Sequence, residues 1–366
     1  MFVLMNVICE APPRQSVKGR ASLANETPRF EAHTRENTSD GWDSADDELP
    51  VLRTEVREER VRTAINRVRS PDLPFDRTLN PYRGCEHGCI YCYARPSHAY
   101  LNLSPGLDFE TKLIARPNMA DVLDQELRAR RYKVAPIAIG TNTDPYQPVE
   151  KEYGIMRELL EVLARFNHPV AIVTKGSLIE RDIELLAPMA AKGLVRVGIS
   201  VTSLDRDLSR KLEPRVPAPQ RRLAIIGRLS EAGIPVRAMI SPMIPGLTDH
   251  ELENIMTACR DAGAESASWI MLRLPREVSP LFQAWLKAHY PAKVEKVMGK
   301  LRDMHGGKEY STDWHKRMRG NGPYAALLGA RFRQTAARLG LDQDVTPLRC
   351  DLFEIPLQQG AQMALF

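Results

Sequence analysis

No stretch of this chain approaches the roughly 18 consecutive apolar residues of a membrane-spanning helix, so no membrane role is expected. The opening Met1-Phe2-Val3-Leu4-Met5-Asn6-Val7-Ile8-Cys9 is apolar, but no basic residue precedes it and its apolar stretch is short and polar-interrupted, so it does not read as a signal peptide. Cysteine is scarce, at six in 366 residues. That is a poor start for a disulfide framework and fits a reducing, cytoplasmic setting in which thiols stay free for metal. Neither sign of charge dominates: 51 Lys and Arg against 46 Asp and Glu leave a net charge of +5. So mild a basic excess is compatible with nucleic acid but does not demand it. Apolar residues, at 43%, are sufficient for a sizeable core.

What little cysteine there is clusters. Cys85, Cys89 and Cys92 fall within eight residues, in Gly84-Cys85-Glu86-His87-Gly88-Cys89-Ile90-Tyr91-Cys92-Tyr93. Three thiolates on one loop can hold three irons of a 4Fe–4S cluster, which takes one cysteine per iron. No fourth cysteine lies nearby, so the fourth iron is left for a non-protein ligand. In this the loop resembles that of radical S-adenosylmethionine (SAM) enzymes. The resemblance implies that the amino and carboxylate groups of SAM bind the open iron, and that an electron from the cluster cleaves the sulfonium to a 5′-deoxyadenosyl radical. The competing reading is a structural zinc site completed by His87 or His98, although such sites are usually built from two paired knuckles and there is no second pair.

Texture divides the chain into four parts. Residues 1–75 lack sustained periodicity and are expected to be mostly a flexible arm, with a short charged helix over 54–70. From 76 to 280, apolar β-rich runs at 134–140, 169–174, 195–201, 235–241 and 268–273 alternate with amphipathic runs at 119–131, 152–166, 178–191, 219–232 and 249–262. Gly193, Gly233 and Gly263 follow three of these helices as C′ residues, and Thr248 with Glu251 has the form of a capping box. With one strand before Cys85, about six βα units result. The expected fold is α/β: a partial, open (βα)6 barrel, too short for a closed eight-fold one. Residues 281–350 read as a basic helical extension with helices at 291–304 and 325–339, and 351–366 as a tail.

Function in parallel α/β folds gathers at the carboxyl ends of strands. The run Gly140-Thr141-Asn142-Thr143-Asp144-Pro145 ends the second strand, where superfamily members bind the methionine amino group; this points to Thr143 and Asp144, although such residues also make ordinary turns. Lys175 ends the third strand and could pair with the methionine carboxylate. Ser200 ends the fourth and is a ribose candidate. In Glu213-Pro214-Arg215, the arginine could take a carboxylate in bidentate fashion. Ile240, opening Ile240-Ser241-Pro242-Met243-Ile244, could pack on adenine, with Tyr91 at the other edge. For each, a purely structural role is the alternative. Cys259 reads as a small buried hydrophobe, while Cys9 and Cys350 carry no motif.

From 71 to 275 the chain resembles the spore-photoproduct-lyase-like branch of the superfamily, also labelled DNA repair photolyase-like. The carrying pieces are Asn80-Pro81-Tyr82-Arg83-Gly84-Cys85 with Cys89, Tyr91, Cys92 and Tyr93; Thr143-Asp144-Pro145-Tyr146; Ser203-Leu204-Asp205; Leu212-Glu213-Pro214-Arg215; and Pro245-Gly246-Leu247. The resemblance implies a lyase-like enzyme with cluster ligation by the three cysteines, cofactor contacts at the strand ends, and an electron donor such as flavodoxin or ferredoxin. One departure stands out. Where spore photoproduct lyase has a hydrogen-donor cysteine, this chain has Thr141 or Asn142, and neither donates a thiol hydrogen.

Residues 291–340 hold eleven Lys or Arg against four Asp or Glu, interleaved with aromatics, and Lys316, Arg317 and Arg319 are the expected phosphate contacts of a nucleic-acid partner. Gln362-Met363-Ala364-Leu365-Phe366 resembles the short peptides that dock on bacterial sliding clamps, through Gln362, Leu365 and Phe366. Alternatives to an enzyme acting on nucleic acid are a non-catalytic iron–sulfur protein that binds nucleic acid or senses redox state, and radical modification of a protein or small molecule.

Overall fold

Strands that are apolar on both faces bury them only by pairing in parallel under a layer of helices. The computed structural model of the chain describes residues 17–31, 52–343 and 346–357. Its strands, in chain order, are β1 (Glu55–Glu58), β2 (Asn66–Arg67), β3 (Arg77–Leu79), β4 (Tyr82–Arg83), β5 (Lys112–Ala115), β6 (Ile137–Ile139), β7 (Val170–Thr174), β8 (Val195–Ser200), β9 (Val236–Met243) and β10 (Ser266–Met271). Its α-helices are α1 (Leu107–Thr111), α2 (Met119–Leu127), α3 (Glu150–Tyr153), α4 (Ile155–Arg165), α5 (Ile183–Ala191), α6 (Arg206–Leu212), α7 (Pro219–Glu231), α8 (Leu252–Asp261), α9 (Val278–His289), α10 (Val294–Met304) and α11 (Gly322–Leu339).

Strands β3, β6, β7, β8, β9 and β10 pair in that order, all parallel, and β2 adds an antiparallel edge beside β3. The two edge strands, β10 and β2, do not meet, so this is the expected open six-stranded barrel. Burial alternates along β7, one side chain inward and the next under the helices. Helix α4 shows why the outer layer forms: Ile155, Met156, Leu159, Leu160 and Leu163 make one buried stripe, while Arg157, Glu158 and Glu161 face away from it. Each such fully buried side chain contributes about 1.5–3 kcal/mol.

Four expectations change. The charged stretch 54–70 is not a helix. It supplies β1, which pairs in parallel with β5 in a separate three-stranded sheet, and β2. That stretch has no apolar stripe to bury, and its backbone groups find partners in neighbouring strands and in the side chains of Asn118 and Glu126. Residues 17–31 of the arm pack on the core, with Arg20, Ala21 and Ser22 buried. Thr248 and Glu251 form no capping box: Thr248 accepts from the Ile244 amide, and the buried Glu251 carboxylate accepts from Ser203 Oγ (2.6 Å) and Leu204 N (2.7 Å) across the barrel rim. Gly193, Gly233 and Gly263 do adopt positive φ after their helices. In the carboxyl-terminal extension, α10 and α11 correspond to the expected pair and α9 is additional. It straddles the boundary placed at 280, with Val278 buried on one side of it and Leu281, Phe282, Trp285 and Leu286 on the other.

Beyond α11 the chain returns beneath the barrel. Arg349 N donates to Gly193 O (3.0 Å), Glu354 N to Phe166 O (3.1 Å) and Arg128 Nη1 to Pro356 O (2.8 Å), so residues 346–357 strap the amino ends of β7 and β8, opposite the mouth. Phe353 fills this end against Phe166, Tyr132 and the buried His168. A carbonyl can only accept, so the Nδ1 of His168 carries the proton given to Pro169 O (3.0 Å), and Nε2 accepts from Tyr132 Oη (2.7 Å). Burial lowers the His168 pKa to about 4. A histidine held neutral in the folded state binds its proton more readily once unfolded, so stability falls as pH drops from about 6.5 towards 4 and loses no more from this group below that. The predicted loss is up to about 3 kcal/mol, and His168→Asn should flatten that part of a pH–denaturation series.

Candidate active site

The cysteine loop follows β4 and lies over the carboxyl ends of the parallel strands. Its two glycines take left-handed φ, and a side chain at Gly88 would put a Cβ 2.8 Å from the Glu110 carboxylate. From the outer side the loop is held by Arg95, whose guanidinium is fully buried. It donates to the carbonyls of Gly88 (3.1 Å), Cys89 (3.0 Å), Pro105 (3.0 Å) and Gly106 (2.9 Å) and to the buried Glu110 (2.6 Å), using all five N–H groups.

The inner side is held by Leu212-Glu213-Pro214-Arg215. Leu212 O accepts from Ile90 N (3.1 Å) and Arg215 Nη2 donates to Glu86 (3.1 Å). Between them Glu213 accepts from Tyr91 Oη, from Thr202 Oγ1 (2.9 Å) and from the fully buried Arg222 (2.5 Å). Arg222 in turn donates to Ser200 O (3.0 Å) and Ser209 Oγ (2.8 Å). Gln147 closes the loop's start, accepting from Glu86 N (2.8 Å) and donating to Gly84 O (3.3 Å).

Within this frame Cys85 and Cys89 are buried, Cys92 is half-buried, and all three are free thiols. Burial pushes the Cys89 pKa up to about 12 against the pull of Lys175, and burial, then Asp144 and the other two thiols, raise that of Cys85. Cys92 packs against the buried group of Cys85, Ala94 and Phe109, and its amide donates to Cys89 O (3.2 Å), so the loop keeps the three cysteines together. Among the described residues, no three His, Cys, Asp or Glu converge on a single ion position. His87 faces Asp144 (3.3 Å), and His98 Nε2 is engaged with Lys112 O (2.9 Å). The donor set suits three irons of a cluster better than one zinc.

The structure gathers most of the expected cofactor residues around the loop, several of them already engaged. Thr143 Oγ1 donates to Tyr82 O (2.9 Å). Asp144 accepts from Thr174 Oγ1 (2.6 Å), Lys175 N (2.8 Å) and Tyr146 N (2.9 Å). Burial alone would raise its pKa, but His87 and these donors bring it to about 2. Arg215 pairs with Glu86, beside Cys85. Ser200 and Ile240 are buried in β8 and β9. Lys175 differs: its ammonium stands 6.0 Å from the Tyr91 ring centroid and forms no ion pair among the described residues. Burial opposes its charge, but Cys89, Glu213 and Asp144 keep its pKa raised.

The rim brings Arg273, which the sequence did not single out, together with Tyr93 and the expected Lys316, Arg317 and Arg319. Arg273 stacks over the half-exposed ring of Tyr93 (4.3 Å), whose hydroxyl donates to Thr141 O. Met271 N donates to Met318 O (2.9 Å), which brings residues 314–319 beside β10. There Arg317 stacks on Trp314 (4.1 Å) and pairs with Asp72 (2.5 Å), Lys316 pairs with Asp313 (3.5 Å), and Arg319 lies 5.8 Å from the Trp269 ring centroid. Arg95, Glu110, Gln147, Glu213 and Arg222 were also missed as site residues; only Glu213, inside a quoted motif, had a signal.

Removing one partner of a buried ion pair costs about 3–5 kcal/mol. Glu213→Gln is predicted to lower stability towards that range and to reduce iron retained after anaerobic reconstitution, because the amide keeps only one acceptor oxygen, so either Tyr91 or Arg222 loses its acceptor, and Arg222 also loses its counter-charge. Full iron loading at wild-type stability would show that the inner clamp is dispensable.

The sequence model of the Radical SAM superfamily matches residues 79–259. An uncharacterized protein of Mycobacterium tuberculosis strain H37Rv is 39% identical over 238 residues, covering 64% of this chain and 70% of that protein. One from Methanocaldococcus jannaschii is 25% identical over 248 residues, covering 67% and 88%. The structure of spore photoproduct lyase complexed with dinucleoside spore photoproduct superposes with a TM-score of 0.54 at 14% identity, over 78% of this chain and 79% of that one, which is a likeness of fold. With three free thiols on one loop at the mouth of an open six-stranded barrel, the chain belongs to the radical SAM superfamily, whose cofactors are a 4Fe–4S cluster and S-adenosylmethionine.

Proposed function

We propose that this enzyme binds its cluster through Cys85, Cys89 and Cys92, cleaves S-adenosylmethionine reductively, and acts on a nucleic acid in a lyase-like, repair-type reaction in the cytoplasm. The observation that carries the cofactor half is Lys175, a cation without an ion-pair partner among the described residues, beside the thiols and Tyr91. It would take the methionine carboxylate. Thr143, Asp144, Ser200 and Arg215 act one step back, shaping the strand ends and the loop, and Ile240 lines the wall. When bound, the cluster supplies one electron to the sulfonium, delivered by a donor such as flavodoxin or ferredoxin.

The substrate half rests on the rim. Tyr93 and Trp314 are half-exposed rings, each under an arginine, and bases stack on such rings while guanidinium groups meet phosphates. The spore photoproduct lyase structure holds a dinucleoside photoproduct, and a substrate of that class suits this rim. Dimer reversal by the same route is disfavoured. Thr141 offers Tyr93 a carbonyl rather than a thiol; Cys259 is buried in α8 on the outer layer, and Cys350 lies in the strap at the far end. Cys9 is outside the described residues.

Three outcomes test this reading. A Cys85/Cys89/Cys92→Ala triple variant should lose the iron and all 5′-deoxyadenosine production. Lys175→Met should keep its iron yet bind S-adenosylmethionine about tenfold more weakly or worse, the worth of one charge-assisted hydrogen bond. Unchanged affinity would remove the carboxylate assignment. Trp314→Ala and Arg273→Ala should each weaken single-stranded nucleic-acid binding at low salt by about 1–3 kcal/mol, and indifference of both would favour a protein or small-molecule substrate.

Gln362, Leu365 and Phe366 lie outside the described residues, and sliding-clamp docking by them is part of the proposal. Its support is the likeness of Gln362-Met363-Ala364-Leu365-Phe366 to clamp-docking peptides. Clamp recovery by the full chain, but not by a chain ending at Ala361, is the expected result.

A further inference from the structure

The region shared with the superfamily begins at residue 79, yet a segment well before it touches the cysteine loop's outer support. Glu110, fully buried, spends only part of its carboxylate on Arg95. The rest accepts Ala21 N (3.1 Å) and Ser22 N (3.0 Å). Arg20, itself buried, donates to Glu110 O (2.8 Å), Leu52 O (3.0 Å) and Thr54 Oγ1 (3.0 Å). Thr54 passes a hydrogen bond on to Glu86 (2.5 Å), the neighbour of Cys85. Further along, Asn25 and Asp108 exchange two hydrogen bonds, Asn25 Nδ2 to Asp108 Oδ1 (3.0 Å) and Asp108 N to Asn25 Oδ1 (2.9 Å). A Cβ at Gly106 would fall 2.1 Å from Ala24 O, so the two backbones are in direct contact. The helix under this segment, α1, presents Phe109 to Cys85 and Ala94.

We infer that residues 20–25 are a working part of the cluster site, forming its outer wall and holding the cysteine loop in place through Glu110 and Arg95. The chain of contacts is short and buried. Two backbone amides complete the charge balance of Glu110, Glu110 fixes Arg95, and Arg95 fixes the carbonyls of Gly88 and Cys89. Arg20 reaches the same loop a second way, through Thr54 and Glu86. These are positioning residues rather than cluster ligands. Their role is to keep the loop closed on its outer side, where oxygen and water would otherwise reach iron that the three thiols would hold under the proposed function.

The test uses the full chain, reconstituted anaerobically, with Arg20→Ala and Asn25→Ala as variants and Phe30→Ala, at an exposed position of the same segment, as control. Iron content, the thermal midpoint and the rate of bleaching of the cluster's visible absorbance on admission of air are read for each. Arg20 makes three hydrogen bonds, of which the one to Glu110 O bears directly on the loop's outer support, and losing one such bond from a charged group raises the population of a locally open loop about tenfold. Arg20→Ala should therefore start with wild-type iron but bleach about tenfold faster, Asn25→Ala should bleach faster by a smaller factor, and Phe30→Ala should match the parent. Bleaching of both variants at the parental rate would overturn the inference. So would acceleration by Phe30→Ala equal to theirs, since that would trace the effect to general loosening. If Arg20→Ala does not fold, Asn25→Ala against Phe30→Ala decides the matter on the same readouts.

Discussion

The ion pair between Arg95 and Glu110 is the contact on which the site depends. Both groups are withdrawn from water, a state whose cost is offset only when every donor and acceptor is used. They are used here: five N–H groups of Arg95 reach four carbonyls and one carboxylate, and Glu110 adds two amides. Gly88 O in the cysteine loop and Pro105 O and Gly106 O in the turn before α1 would otherwise need water, and Cys89 O gains a second donor. Because the arginine satisfies them from inside the protein, the loop can carry three thiols at low solvent exposure.

A second buried pair, Arg222 with Glu213, does the corresponding work on the barrel side. The two pairs grip the loop from opposite sides, one through backbone carbonyls and the other through the Tyr91 hydroxyl. Between them the loop is over-determined, whereas the Lys175 ammonium is left unpaired. That contrast separates the groups that build the site from the group available to a ligand. It also explains why Asp144 and Arg215, charged residues in plausible motifs, turn out to be engaged with the protein itself.

The architecture was legible because it is written in local patterns. Alternating β-runs and amphipathic stripes spaced about 30 residues apart allow few solutions, and the glycines after α5, α7 and α8 marked their ends. The cysteine spacing named the cofactor for a similar reason, since ligand number and proximity are sequence properties. The partners of buried charges were not legible. Glu110 meets Ala21 across 89 residues and Arg215 meets Glu86 across 129, distances over which no periodicity speaks. The Thr248 and Glu251 pair shows the opposite failure. Its spacing is right for a cap, but burial at the rim gave Glu251 better donors in Ser203 and Leu204. The strands at 54–70 were missed because β1 has only one half-buried side chain, and its pairing with β5 is a tertiary fact.

Two stretches outside the barrel sit in very different places. Residues 20–25 are woven into the wall behind the cysteines, whereas residues 346–357 run along the barrel's far end. A fluorophore attached at an exposed strap position such as Leu357 would thus ride on a part of the molecule remote from the chemistry. A label carried by residues 20–25 would instead disturb the wall, and a preparation labelled there would lose its colour in air for reasons that have nothing to do with the enzyme's native durability.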